Sequence, residues 1–317
     1  MQEIGPNIYY EDQLTGVTLG ALVLPRGVIL IDAPLRAEDS HTWNATVLSH
    51  TSQNLTDENG EKELASDHVL VYLDAHPDRT IGARILETAS QTPIIIAHRE
   101  TARGFESRPT IFKGQNTDTG ADWELCEDVV STRWALPDLT FTDTLCLQWE
   151  QKAGCRRSNA ENSSVSRGYN VYLEHHAGPA AGAIWVHIPQ TKTLFIGDAV
   201  LIGQAPFLES ADIPRWLDTL DLLASQKYRG YSIVSGRGGL VTERDVLTQK
   251  KYMERILKFV AALEKESSHP TNIDKIVKDI LSWLDFPPDR RQLYEQRLRY
   301  GLQNYFLRHF PADGYFE

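Results

Sequence analysis

The stretch His68-Val-Leu-Val-Tyr-Leu-Asp-Ala-His-Pro-Asp-Arg79 joins a short apolar run directly to a polar, charge-rich loop. Residues 68–73 have the length and composition of a buried β-strand. Residues 81–89 follow with the apolar spacing of a helix, and residues 93–97 form a second apolar run of strand length. This order of strand, loop, helix and strand predicts a βαβ unit within an α/β fold.

Polar or glycine residues follow the end of a predicted strand at three further places. These are the turn from His175-His176 to Gly182, Gly197-Asp198 after the strand at 193–196, and Gly236–Gly239 after the strand at 231–235. Loops at strand ends commonly build the functional site of a sheet protein. We therefore expect these loops and Asp74–Arg79 to meet at one place.

The rest of the chain divides into strand-rich and helical parts. Residues 20–32 predict a hairpin that turns at 25–27, and residues 139–149 predict one alternating strand. Residues 51–67 and 151–168 have the composition of surface loops, whereas residues 104–135 give no clear pattern. After Thr242 the pattern is helical, beginning with a capping box from Thr242 to Asp245.

These motifs, taken in order, resemble those of the metallo-β-lactamase superfamily over about residues 8–265. In that family a strand ends in His-x-His-x-Asp-His, a Gly-His-Thr-Pro-Gly-Ser-like turn follows, and later strands end in Gly-Asp and Gly-His-Gly. The resemblance implies an α/β (α+β) fold, a four-layer αβ/βα sandwich at residues 1–265. Residues 266–317 are expected to form a C-terminal helical extension packed on the same domain.

The first motif departs from the family pattern at two positions. Asp74 stands where the pattern has its first histidine, His76 and Asp78 match, and Arg79 replaces the closing histidine. The resemblance thus assigns metal-ligand positions to Asp74, His76, Asp78 and Asp198, with Asp198 at the residue that normally bridges two metals. It also makes Asp78 the candidate catalytic residue.

The later motifs lose their histidines as well. Pro179 stands at the ligand position of the glycine-rich turn, and Arg237 stands in the Gly-His-Gly position. Proline has no side-chain ligand, and arginine is always cationic and cannot coordinate a cation. If Arg79 and Arg237 lie close to the remaining carboxylates, they would repel a metal ion. The arginines would then form ion pairs with those carboxylates instead.

Two functions follow from this reading. The first is a non-catalytic or metal-free relative in which the arginines neutralise the carboxylates, with Arg79, Arg237 and His176 as candidate ligand-binding residues for a small anion. The alternative is a metal-dependent hydrolase with a single atypical site at Asp74, His76, Asp78 and Asp198. The cofactor is then either none or one divalent metal, Zn, Mn or Fe.

Composition narrows the classes of partner. The chain has 317 residues, a net charge of −11 and a sequence pI near 5.4, which argues against nucleic-acid binding. Apolar runs are too short for a membrane span, and no secretion signal opens the sequence. Three scattered cysteines without a Cys-x-x-Cys motif favour a reducing, cytoplasmic location. We expect a small-molecule ligand, which is an anion if the arginines bind it. We expect neither a nucleic acid nor a membrane as partner.

Overall fold

The computed structural model describes nine segments of the chain. They are residues 1–24, 27–54, 67–87, 92–107, 110–112, 119–127, 131–149, 169–265 and 273–309. Residues 25 and 26 of the expected hairpin turn at 25–27, residues 55–66 of the expected loop at 51–67 and the whole expected loop at 151–168 lie outside the described residues. Residues 51–54 end a helix and residue 67 begins a strand, so the expected loop is shorter than predicted.

The strands of the described segments form two large sheets and one small one. They are β1 Gln2–Gly5, β2 Ile8–Glu11, β3 Leu19–Leu24, β4 Gly27–Ile31, β5 Asp67–Val71, β6 Ile94–His98, β7 Thr110–Phe112, β8 Ser131–Arg133, β9 Leu139–Phe141, β10 Thr144–Trp149, β11 Tyr169–His175, β12 Ile184–Ile188, β13 Thr193–Phe195, β14 Ser232–Ser235 and β15 Gly239–Leu240. The first sheet has the order β1-β2-β3-β4-β5-β6-β9, and the second runs from β10 to β15 in chain order. Strands β7 and β8 pair separately.

The helices of the described segments lie between and after these strands. They are α1 Ala37–Asn54, α2 Ala83–Glu87, α3 Arg99–Ser107, α4 Ile213–Leu223, α5 Glu243–Lys265, α6 Ile273–Leu281 and α7 Arg291–His309. The expected capping box begins α5, because Asp245 N donates to Thr242 Oγ1 and Thr242 N donates to the Asp245 carboxylate. None of the helices in these segments is long and apolar enough to cross a lipid bilayer.

The βαβ unit forms as the sequence predicts. Strands β4, β5 and β6 are parallel neighbours, with Leu30 opposite Leu70 and Leu70 opposite Ile95. Their side chains are buried apart from the ends of β5 and β6, as expected for parallel strands covered on both faces. The parallel arrangement places the ends of these strands, and the loops that follow them, at one edge of the sheet.

The prediction of a single strand at residues 139–149 is wrong. It is two strands in different sheets, since β9 pairs with β6 in the first sheet and β10 pairs with β11 in the second. The break falls at Thr142-Asp143, where the Thr142 carbonyl accepts a hydrogen bond from the His98 ring at 2.6 Å. A period-2 pattern continues through such a crossing, because both strands present alternating faces.

Apolar side chains define four layers. Ile29 and Val71 of the first sheet pack against Val186 and Phe195 of the second in one central core. A second core lies between the first sheet and its helices, and a third lies between the second sheet and helices α4 to α7. The expected αβ/βα sandwich with a helical C-terminal region is confirmed. The boundary at residue 265 stays a prediction.

Candidate functional site

Three strand-end loops meet at one edge of the sandwich. The strand β5 leads into a short 3-10 turn at Pro77–Arg79, and β13 leads into another at Gly197–Ala199. Gly236, which follows β14, donates from its backbone N to the Gly197 carbonyl at 2.7 Å. A Cβ atom on Gly236 would lie 2.9 Å from the Gly197 carbonyl carbon, so this approach requires a glycine.

Arg79 lies fully buried among three carboxylates. Its Nη1 bonds Asp32 and its Nη2 bonds Asp198, both at short contacts. Its Nε lies 2.9 Å from Asp74 Oδ1 as an ion pair. Every nitrogen of this guanidinium group therefore faces a carboxylate, and the pKa of Arg79 is raised well above its usual value by these charges despite its burial.

Arg237 is buried on the other side of Asp198. Its Nη1 donates to Asp78 Oδ2 at 2.9 Å and to the Gly16 carbonyl at 3.1 Å. Its Nε donates to Asp198 Oδ2 at 3.2 Å, and its Nη2 lies 3.1 Å from His76 Nδ1. The second expected arginine thus engages three of the four expected metal-ligand residues.

Asp198 bridges the two guanidinium groups. Its Oδ1 accepts from Arg79 and its Oδ2 accepts from Arg237. Burial alone would raise the pKa of Asp198, but the charges of Arg237 and Arg79 outweigh burial and hold that pKa below its usual value. The side chain is therefore an anion held between two cations.

The sequence did not single out Asp32, Asp122, Arg290 or Arg297, which complete the network. Asp32 has a left-handed backbone at φ +60°, and its Oδ1 accepts from Leu73 N at 2.9 Å. Asp122 takes an ion pair from Arg290 at 2.6 Å and from Arg297 at 3.5 Å, and it lies 3.4 Å from Arg237. Helix α7 and the residues before it thus reach the same site as β5 and β13.

We call this set the arginine–aspartate cluster. It comprises the carboxylates Asp32, Asp74, Asp78, Asp122 and Asp198 and the guanidinium groups Arg79, Arg237, Arg290 and Arg297. Burial raises the pKa of Asp74, and it raises that of Asp32 to about 7, although Arg79 lowers both. The raised pKa of Asp32 reduces the excess of negative charge in the cluster near neutral pH.

His76 is neutral and has a defined tautomer. Burial and the charge of Arg237 lower the pKa of His76 well below its usual value. Its Nδ1 accepts from Asp78 N at 3.3 Å and faces Arg237 Nη2, so both neighbours are donors. The remaining proton of the neutral ring must then lie on Nε2. The ring packs against Phe207, with centroids 4.2 Å apart.

A cavity of about 390 Å³ opens beside the cluster. Asp74, His76, Pro179 and Asp198 contribute to its wall, with a ring of aromatic residues around them. The expected histidine position of the second motif, Pro179, therefore does face this space. The cavity lies where the strand-end loops were expected to meet.

His176 does not join the cluster. Its Nε2 lies 3.4 Å from Glu174, and its ring stacks on Trp185 with centroids 3.8 Å apart. His187 Nδ1 bonds the same carboxylate at 3.0 Å. These two hydrogen bonds, from His176 and His187, hold the pKa of Glu174 below its usual value of 4.5. The sequence shows two adjacent histidines but gives no signal for the carboxylate that His176 contacts.

Solved structures that share this arrangement of layers include metallo-β-lactamases and an alkylsulfatase. A metallo-β-lactamase from Pontibacter korlensis is 16% identical with a TM-score of 0.51, over 80% of this chain and 97% of that one. DIM-1 metallo-β-lactamase is 14% identical with a TM-score of 0.52, over 80% and 96%. The chain has the metallo-β-lactamase fold.

A third similar structure extends the match along the chain. The stereoselective inverting sec-alkylsulfatase Pisa1 from Pseudomonas sp. is 15% identical with a TM-score of 0.60, over 97% of this chain and 50% of that one. The chain therefore spans half the length of the alkylsulfatase. No protein-family model and no curated protein sequence matches the chain.

The metallo-β-lactamase fold implies metal ligands at the edge where the arginine–aspartate cluster lies. Within the described segments, no group of three or more His, Cys, Asp or Glu side chains is arranged to hold a metal ion. The carboxylates at the expected positions are instead directed at guanidinium groups or backbone N–H groups.

Proposed function

We propose that this chain is a metal-free, non-catalytic representative of the metallo-β-lactamase fold, in which Arg79 and Arg237 take the electrostatic place of two metal ions. The observation that carries the proposal is Asp198, whose two oxygens each accept from one of the two guanidinium groups. A carboxylate that would bridge two cations in a dinuclear site here bridges two organic cations.

The donor set does not fit a divalent metal as it stands. Asp78 Oδ1 accepts from Trp123 N at 2.8 Å, and its Oδ2 accepts from Arg237. His76 presents its Nδ1 lone pair to two donors and carries its proton on the other nitrogen. A metal at this edge would also lie beside two permanent positive charges that cannot deprotonate.

The alternative, a hydrolase with one metal at Asp74, His76, Asp78 and Asp198, needs those contacts to break first. Separating Asp198 from Arg79 and Arg237 would leave buried charges without partners. Breaking a buried ion pair in this way costs about 3–5 kcal/mol. We therefore favour the metal-free form.

The expected anion site at Arg79 and Arg237 is not part of this proposal. Both guanidinium groups already face carboxyl groups with their nitrogens, and an added anion would compete with the five that surround them. Anion binding there stays a prediction of the sequence that these contacts disfavour.

Elemental analysis tests the proposal. Protein purified without chelator, and protein dialysed against zinc or manganese, should both retain far less than one metal ion per chain, and a chelator should leave the melting temperature unchanged. One metal ion per chain that is lost in Asp78→Ala and kept in the exposed control Asp274→Ala would overturn the proposal.

A further inference from the structure

The cavity beside the arginine–aspartate cluster has an apolar, aromatic wall. Its rings come from helices α3, α4 and α7 and from three connecting segments, and they are Phe105, Trp123, Trp134, Phe207, Trp216 and Tyr300. Trp216 uses its indole N–H on the Ala199 carbonyl, so its ring offers only an apolar surface. The volume of about 390 Å³ lies within the range of small-molecule sites, roughly 300–1,000 Å³.

Asp74 brings an acceptor without a partner to this cavity. Its side chain is only 4% exposed, and its Oδ1 accepts from His76 N and pairs with Arg79. Its Oδ2 has no hydrogen-bonding partner within the described segments. A buried carboxylate oxygen normally finds a donor, because leaving it unpaired costs free energy.

His76 brings a donor to the same cavity. Its tautomer places the proton on Nε2, and that nitrogen has no hydrogen-bonding partner within the described segments. Asp74 and His76 thus bring one acceptor and one donor, two positions apart in the chain, to the aromatic part of the wall. The polar side chains elsewhere in the wall are Ser107, Thr119, Glu209, Ser210, Asn304 and Arg308.

We propose that this cavity binds a neutral aromatic molecule carrying a primary carboxamide, whose carbonyl accepts from His76 Nε2 and whose NH₂ group donates to Asp74 Oδ2. A carboxylate ligand would satisfy His76 but would place a negative charge against Asp74. An ammonium ligand would satisfy Asp74 but would meet the His76 N–H and lie near Arg79 and Arg237. A carboxamide offers both groups without a net charge to desolvate.

Three probes with one ring and different head groups test this chemistry. Isothermal titration calorimetry at neutral pH would compare 2-naphthamide, 2-naphthoate and 2-naphthylmethylammonium. We expect 2-naphthamide to bind at least about tenfold more tightly than either charged probe, because only its head group pairs with both residues. Tighter binding of 2-naphthoate or of the ammonium probe, or no binding of 2-naphthamide at about 1 mM, would overturn the proposal.

Ser210→Trp tests whether the probe occupies this cavity. Ser210 is exposed at the cavity wall and has no contact with the arginine–aspartate cluster, so a tryptophan there fills space without disturbing the buried charges. We expect it to weaken 2-naphthamide binding at least about tenfold. Ser282→Trp, at an exposed serine away from the cavity, should leave the affinity unchanged. Equal affinity in both variants would place the probe elsewhere.

Asp74→Asn tests the polar contact itself. Loss of the negative charge should reduce the preference for 2-naphthamide over 2-naphthoate by at least about tenfold, because the repulsion of the carboxylate probe disappears. An unchanged ratio in a folded variant would contradict the assignment to Asp74. If this variant does not fold, the probe series and Ser210→Trp still decide the proposal.

Discussion

Burying an arginine side chain costs free energy unless carboxylates or other acceptors pair with it. Arg79 and Arg237 are both fully buried, and each meets at least two carboxylates. Taking an ion out of water costs several kcal/mol, which only close partners and hydrogen bonds repay. The arrangement therefore depends on each residue of the cluster more than an exposed ion pair would.

Arg79→Met should destabilise the protein strongly. It leaves Asp32, Asp74 and Asp198 without their shared cation, and removing one partner of a buried pair costs about 3–5 kcal/mol. Urea unfolding would measure the free energy. Arg103→Met, at an exposed arginine paired with Glu100, should cost at most about 0.5 kcal/mol. Similar losses in the two variants would contradict the structural role of Arg79.

Glu174→Gln should change how stability depends on pH. The folded-state pKa of Glu174 is lowered by His176 and His187, so its contribution is present above its usual value of 4.5 and is lost as the pH falls through the lowered pKa. At pH 7 we expect a loss of about 1 kcal/mol, because the Glu174 side chain is partly exposed and solvent screens its hydrogen bonds. Urea unfolding from pH 7 to pH 3 should show the two proteins converging; a constant difference would contradict this.

Part of the cluster was predictable residue by residue, and part was not. The resemblance placed Asp74, Asp78, Arg79, Asp198 and Arg237 at one site, and the structure brings all five together. The others belong to segments without a motif. Asp32 ended a predicted hairpin strand, and Asp122 lay in the stretch without a clear pattern. Arg290 had the pattern of a solvated loop charge, and Arg297 lay in a predicted helix. An ion pair between distant segments leaves no periodic signal in either.

At the scale of elements, the glycine-rich turn lets two helices approach the second sheet. A Cβ atom on Gly182 would lie 2.4 Å from Thr101 Oγ1, and one on Gly178 would lie 2.8 Å from Trp216 Cα. Thr101 Oγ1 also donates to the Gly182 carbonyl at 3.1 Å. The glycines at this turn therefore fix how closely α3 and α4 approach the site.

Gly182→Ala should force α3 away from the turn. The new methyl group would overlap the Thr101 hydroxyl and backbone N, and overpacking of this kind costs about 1–3 kcal/mol. The control is Gly5→Ala, whose Cβ would meet no atom closer than 3.4 Å. Thermal unfolding would compare the two variants. A loss in Gly5→Ala as large as that in Gly182→Ala would show that the close approach of α3 is not the cause.

Element types were easier to predict from sequence than element partners. Residues 68–73 and 93–97 gave parallel strands because buried strands carry continuous apolar runs. Residues 139–149 were predicted as one strand because apolar and polar side chains continue to alternate where the chain passes from one sheet to the next. The pairing depends on packing across the sandwich, which a local window does not contain.

At the scale of the whole molecule, helix α7 is tied to the site by one arginine. Arg297 Nε donates to the Gly120 carbonyl at 2.8 Å, and its Nη1 donates to the Ala205 carbonyl at 3.1 Å. Its guanidinium group lies over the Phe207 ring, 3.9 Å from the centroid. Burial, and then the charge of Arg237, lower the pKa of Arg297 to about 10, so it remains charged at neutral pH.

Arg297→Met should loosen the C-terminal helix and lower global stability. Asp122 keeps Arg290, so we expect a smaller loss than in Arg79→Met, about 2 kcal/mol. Hydrogen exchange should show faster opening of α7 along with the lower unfolding free energy. Arg299→Met, at an exposed arginine paired with Asp274, should change neither quantity. Unchanged hydrogen exchange of α7 in Arg297→Met would show that Arg297 does not hold this helix in place.

The fold of the whole molecule was predictable because its evidence is spread along the chain. Each motif is weak alone, but their order over residues 8–265 predicts one fold, and the four layers confirm that fold. The function was less accessible, since replacing a few ligands changes the chemistry of the site while leaving the layers intact.

The wide separation of the cluster's members has a consequence for the protein during its synthesis. Asp122 leaves the ribosome 175 residues ahead of Arg297, with which it pairs in the buried network. Until the later arginines emerge, Asp78 and Asp122 in the first half of the chain lack their cations, whereas Asp32 and Asp74 already have Arg79. We therefore expect the loops that carry Asp78 and Asp122 to become ordered only after Arg237 and helix α7 have been translated.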